Sequence, residues 1–124
     1  MTTLEKRYRS QMWMNRLFAW AIIFLSLFFL AGKATAADIT MGSGGNLVFE
    51  PNEISISTGE SVTFTNGELP PHNVVFLNND ELSHPDLAFM PGETFNVTFD
   101  TAGDYEFQCE PHAGAGMKGV IHVS

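Results

Sequence analysis

The sequence predicts an all-β sandwich preceded by a short apolar leader. Three observations carry this. From Leu47 to the C-terminus, apolar residues mostly recur at every second position, the period of a strand with one buried face. The runs are short and separated by turns rich in glycine and proline, the pattern of many strands in two packed layers. Residues 37–124, 88 in all, suffice for one core and no more.

The leader comes first. Residues 1–16 are polar and basic, and Leu17 to Leu30 is apolar but for Ser26. Small residues follow, ending Ala34-Thr35-Ala36. A basic start, a short apolar middle and an A-x-A end make a secretory signal peptide over 1–36, with cleavage after Ala36. A retained membrane anchor is the rival reading. A spanning helix wants ~20 apolar residues, and this run is shorter. Either way, residues 37–124 form one domain on the far side of a membrane.

The strands follow in order. Leu47 and Phe49 alternate with Val48 and Glu50, Ile54 and Ile56 with serines, and Val62 and Phe64 with Ser61, Thr63 and Thr65. Val74-Val75-Phe76 is continuous, as a strand covered on both sides would be. Residues 77–90 break the pattern and are expected to be loop, with room for a helical turn. Phe95, Val97 and Phe99 then alternate with polar residues, Tyr105, Phe107 and Cys109 share one face, and Ile121 and Val123 close the chain. Turn residues divide these runs at Gly42–Gly45, Thr58–Glu60, Asn66-Gly67, Pro91-Gly92, Ala102–Asp104 and Gly114–Gly116. Phe49, Phe64, Phe76, Phe89, Phe95, Phe99 and Phe107 are the expected bulk of the core.

Charge and cysteine content exclude several classes. The formal charge is -8, yet from Ala37 onward 13 acidic residues face only Lys118, a formal charge of -12. Such a surface repels nucleic acid and anionic lipid and suits a basic partner. The single cysteine, Cys109, rules out an internal disulfide.

Cys109 opens the segment that carries chemistry. Cys109-Glu110-Pro111-His112-Ala113-Gly114-Ala115-Gly116-Met117 holds a thiol, an imidazole and a thioether within nine residues. Soft sulfur with imidazole favours copper, and two histidines, a cysteine and a distant methionine make a blue-copper electron-transfer site. His72, at the mouth of Val74–Phe76 and behind Pro70 and Pro71, is the expected second histidine. Pro111 stiffens the loop, and Gly114 and Gly116 permit its return. Zinc is the competing metal, but methionine is a poor zinc ligand. His84 and His122 read as ordinary surface residues, and the Asn96-Val97-Thr98 sequon, being mid-strand, as unused. No Ser-His-Asp or paired-carboxylate constellation points to an enzyme.

These residues resemble the plastocyanin family of blue-copper electron carriers. The likeness lies in Leu47-Val48-Phe49-Glu50-Pro51, Pro70-Pro71-His72-Asn73-Val74-Val75-Phe76, Pro91-Gly92-Glu93-Thr94, and Gly103–Phe107 running on into Cys109–Met117. The resemblance implies a Greek-key cupredoxin sandwich with one copper ion, cycling between Cu(I) and Cu(II), on His72, Cys109, His112 and Met117. It implies that Asn73 braces the Cys109 loop, and that electrons leave at His112 through an apolar patch of Gly45, Leu47, Pro71, Pro111, Gly114 and Ala115. The implied partners, met transiently by a monomer, are cytochrome f of the cytochrome b6f complex as donor and photosystem I as acceptor. The implied location is the thylakoid lumen. The short leader and Leu82-Ser83-His84 resemble cyanobacterial members more than plant ones. Three features depart from the family: Gln108 where tyrosine is usual, Ala113 where cyanobacterial members often have arginine, and a short 77–82 segment. Pseudoazurin shares the Cys-x-x-His-x-x-x-x-Met spacing but usually continues into helices after the methionine. Copper storage would call for methionine- and histidine-rich segments or paired cysteines. A metal-free binding sandwich would show no copper affinity.

Overall fold

Alternation in sequence becomes alternation across a pleat. In Ser61–Asn66 the odd residues are half-buried while Val62, Phe64 and Asn66 are buried. The computed structural model describes residues 2–5, 7, 9, 36–68 and 70–124. Most of the expected leader, including its whole apolar run, therefore lies outside the described residues. The strands are β1 (Ala36–Met41), β2 (Phe49–Glu50), β3 (Glu53–Ile56), β4 (Ser61–Asn66), β5 (His72–Phe76), β6 (His84–Ala88), β7 (Thr94–Thr98), β8 (Gly103–Gln108) and β9 (Lys118–Val123).

They form two sheets, ordered β2-β1-β4-β7 and β3-β9-β8-β5-β6. The chain crosses between sheets from β2 to β3, β3 to β4, β4 to β5, β6 to β7 and β7 to β8, giving the expected Greek-key sandwich. Phe49 and Phe64 of the first sheet meet Phe107 of the second edge-on, with ring centroids 4.8 and 5.5 Å apart. Phe76 meets Phe64 at 6.4 Å and Phe99 at 5.8 Å. Edge-to-face rings of this kind contribute beyond their buried area. The Tyr105 hydroxyl donates to the Thr101 carbonyl at 2.7 Å, so this large side chain is buried without leaving its polar end unpaired.

The structure corrects several expectations. β1 is a full strand, parallel to β4 from Ala36 opposite Ser61 to Met41 opposite Asn66. Only Ile39 and Met41 of it are buried, too few apolar residues to mark a strand beside the leader. Within 77–90, Asp80–Leu82 forms the expected helical turn, but His84–Ala88 is β6 rather than loop. It is an edge strand with only Ala88 buried, so no alternation was available to read. Phe89 is not core: it follows β6 and is 56% exposed. His84 is no ordinary surface residue, since its ring stacks on Phe95 with centroids 4.2 Å apart. His122 does lie on the outer face of β9, yet it is engaged by two carboxylates, Glu53 and Asp104.

β5 and β8 position the site. They are antiparallel neighbours, with Val75 opposite Gln108 and Phe76 opposite Phe107. Continuing that register past the end of β8 brings Asn73 and His72 beside the turn that begins at Cys109.

Candidate metal centre

Each sulfur or nitrogen of the site is held by an element with little freedom. His72 is the first residue of β5 and is fully buried. Cys109 follows β8 directly and is also fully buried. Its carbonyl accepts the His112 N–H at 3.1 Å, which starts the 3-10 turn Glu110–Ala115. Gly116 ends that turn in the left-handed region at φ 88°, where a side chain would be strained. Of the two glycines expected to permit the return, Gly116 does so, whereas Gly114 has no positive φ. The chain comes back so that the Cys109 N–H donates to the Met117 carbonyl at 3.0 Å. Met117 is fully buried.

The result is a convergent triad. The Cys109 sulfur lies 3.4 Å from His112 Nδ1 and 3.8 Å from His72 Nδ1. One donor atom from each of the three residues lies within 4.8 Å of the others. Metal bonds of about 2.0 Å to nitrogen and 2.3 Å to sulfur, at tetrahedral to trigonal angles, would set N and S about 3.5–3.7 Å apart. The observed spacing therefore fits one ion between the donors. Thiolate with two imidazoles is a copper-preferring set.

Electrostatics at the site follow from burial. Burial pushes the Cys109 thiol up; hydrogen bonds from the backbone N–H groups of Asn73 and His112 act against this, and Glu110 adds to it. Burial, and then the neighbouring His112, push the His72 imidazole down, with the Glu68 carbonyl opposing. The metal-free pocket thus favours neutral donors, and a cation entering it displaces the thiol proton.

Asn73 joins β5 to the turn. Its Oδ1 accepts the Glu110 N–H at 2.8 Å, and its Nδ2 donates to the Pro85 carbonyl at 2.9 Å and to Glu110 Oε2 at 3.1 Å. Of the expected patch, Gly45, Pro111, Gly114 and Ala115 are exposed and Leu47 and Pro71 half-buried. His112, in the same turn as three of them, is half-buried too. Three residues in the elements around the triad escaped sequence reasoning. Glu110 was visible only as a neighbour of Cys109, Gly42 only as one of a run of turn glycines. Asn66 resembled turn punctuation, yet it is buried and its Nδ2 donates to the carbonyls of Ala88 and Met90 at 3.3 and 3.0 Å.

A two-sheet Greek-key sandwich with a buried cysteine and two histidines at one end of adjacent strands defines a cupredoxin. The family model for copper binding proteins of the plastocyanin/azurin family matches residues 36–124. The chain belongs to that family, whose members are copper electron carriers rather than enzymes. It is 48% identical over 104 residues to a chloroplastic plastocyanin of Physcomitrium patens, covering 77% of this chain and 62% of that one. It is 47% identical over 97 residues to a plastocyanin of Scenedesmus fuscus, covering 69% of this chain and 99% of that one. The chain thus spans less than two thirds of the Physcomitrium patens relative's length. Among solved structures, the oxidised plastocyanin of the fern Dryopteris crassirhizoma superposes with a TM-score of 0.64 at 33% identity, covering 71% of this chain and 100% of that one. Amicyanin from Paracoccus versutus gives a TM-score of 0.61 at 27% identity, covering 76% of this chain and 86% of that one.

Proposed function

We propose that the chain is a mobile one-electron carrier that takes electrons from cytochrome f of the cytochrome b6f complex and passes them to photosystem I in the thylakoid lumen. The observation that carries this is the convergence of Cys109 with His72 and His112 at hydrogen-bond range in a buried pocket. His72, Cys109, His112 and Met117 would hold the ion. Copper, when bound, supplies the reversible Cu(II)/Cu(I) couple.

The protein's own residues do the rest. His72 and Cys109, fully buried, keep water from the donor atoms. Asn73 and the turn fix the donors, so little has to move when the charge at the site changes. His112 sits in the exposed turn and, half-buried where His72, Cys109 and Met117 are fully buried, offers an electron its way out. The residues of the patch from Gly45 to Ala115 are themselves uncharged, suited to a contact that forms and releases quickly. The formal charge of -12 over residues 37–124 raises the encounter rate with a basic surface.

The test is to add copper to the chain and record visible and electron paramagnetic resonance spectra. An intense blue band with narrow copper hyperfine splitting is expected; a pale tetragonal spectrum, or a preference for zinc, overturns the site. The partner reading is tested by the rate of reduction by cytochrome f against ionic strength. The rate should fall as salt rises, and a flat profile rejects steering.

A further inference from the structure

Gly42, the residue after β1, faces the site. It is buried and left-handed, at φ 71° and ψ 39°. A Cβ built on it would lie 2.2 Å from His72 Nε2, 2.9 Å from His72 Cδ2 and 3.0 Å from the Glu68 carbonyl oxygen. No side chain fits there unless something moves by about 1 Å.

Neither partner is free to move. The Gly42 N–H donates to the Val48 carbonyl at 2.9 Å, and the preceding Met41 carbonyl accepts from Gly67 at 2.8 Å. The backbone is therefore tied on both sides. The His72 ring is fully buried, with the Cys109 sulfur 3.8 Å from Nδ1 and the His112 ring centroid 5.0 Å away. A push from Gly42 would drive the imidazole into the donor triangle. The Nε2 edge of the ring is bounded by Gly42 and by the Glu68 carbonyl.

We infer that Gly42 is a positioning residue for His72: its missing side chain is the space that lets the imidazole stand with Nδ1 toward Cys109. This rests on the reading of His72 as a ligand. Left-handed geometry alone does not explain the glycine. Gly44 and Gly92 are also left-handed, at φ 62° and 85°, but an added Cβ meets only Asn46 Nδ2 at 3.5 Å in the first case and nothing within 4 Å in the second. They control for backbone strain without contact.

The experiment compares G42A, G44A and G92A in the full chain. Copper-loaded G42A should show a shifted or weakened blue band and at least tenfold lower copper affinity than either control. In the metal-free chain, G42A should lower the unfolding midpoint more than the controls do, and this excess should vanish in an H72A background, where the ring is absent. If G42A alone does not fold, G42A/H72A should fold as H72A does. A G42A variant matching the controls in spectrum and affinity overturns the inference. So does an excess cost that persists, or a folding failure that remains, without the His72 ring. A wild-type chain with no blue band would instead overturn the site, and the metal-free comparison would still report on the packing.

Discussion

Asn73 and Glu110 hold each other at both ends: the Glu110 N–H donates to Asn73 Oδ1 at 2.8 Å, and Asn73 Nδ2 donates to Glu110 Oε2 at 3.1 Å. Asn73 follows His72 and Glu110 follows Cys109, so this pair ties together the segments that carry two of the three converging donors. The third bond, to the Pro85 carbonyl, extends the tie to β6.

Asn73→Ala removes all three bonds and leaves the part-buried Glu110 N–H and Pro85 carbonyl without this partner. The expected cost is about 2 kcal/mol of folding stability, and copper affinity should fall by about 10- to 100-fold. Urea denaturation at unchanged slope measures the first, and competition with a chelator the second. Unaltered copper affinity would show that the turn keeps its shape without the asparagine.

Copper uptake should depend on pH through the thiol. Burial raises the Cys109 pKa, so near neutral pH the metal must displace a proton. Apparent affinity should therefore rise about tenfold per pH unit from about pH 7 up to the thiol's raised value. His72, shifted down, is already neutral over that range and adds no slope. Cys109→Ser should abolish both the blue band and this slope. A titration at several pH values checks it, and a flat dependence would mean the thiol is already ionised in the metal-free chain.

Much of this was legible in the sequence, and what was not has physical reasons. The convergence of Cys109 and His112 could be read because the two donors are close in sequence and chemically rare together. His72 could be placed because the apolar run Val74–Phe76 marks a buried strand, whose first residue then falls beside the next strand's end. β6 was missed because an edge strand containing Pro85 buries only Ala88 and so leaves no pattern. Phe89 was misjudged because hydrophobicity reports a preference for burial, while exposure depends on where an edge strand turns. Gly42 and Glu110 act through backbone proximity across 30 and 37 positions, to His72 and Asn73, which no local pattern encodes.

His122 should give the fold a pH-dependent clasp. Its Nδ1 lies 2.6 Å from Asp104 on β8, and its Nε2 lies 2.8 Å from Glu53 on β3. The hydrogen bond to Asp104, then that to Glu53, raise its pKa. A raised folded-state value means that the stabilisation is complete below the unfolded value of about 6.5 and is lost as pH rises through the folded value. His122→Gln should therefore lower the thermal midpoint at about pH 5.5, with the gap closing as pH rises above the raised value. Midpoints of both chains across this range decide the matter, and a gap that widens with pH would contradict the sign.

Gly119 should prove irreplaceable for reasons of space alone. It sits in β9 opposite Phe107 of β8. A Cβ there would lie 2.4 Å from Phe107 Cζ and 2.7 Å from the Asn52 carbonyl oxygen. Phe107 cannot swing aside, because its ring is packed by Phe49, Phe64 and Phe76. Asn52 cannot retreat freely either, since its carbonyl accepts the Val120 N–H at 2.9 Å and so ties the start of β3 to β9. Gly119→Ala should thus overpack the centre of the sandwich and cost about 3 kcal/mol, read from urea denaturation of the metal-free chain. Phe107→Leu, which shortens the blocking ring, should recover part of that loss when combined with Gly119→Ala. Strictly additive costs would mean that the methyl group is accommodated elsewhere in the strand.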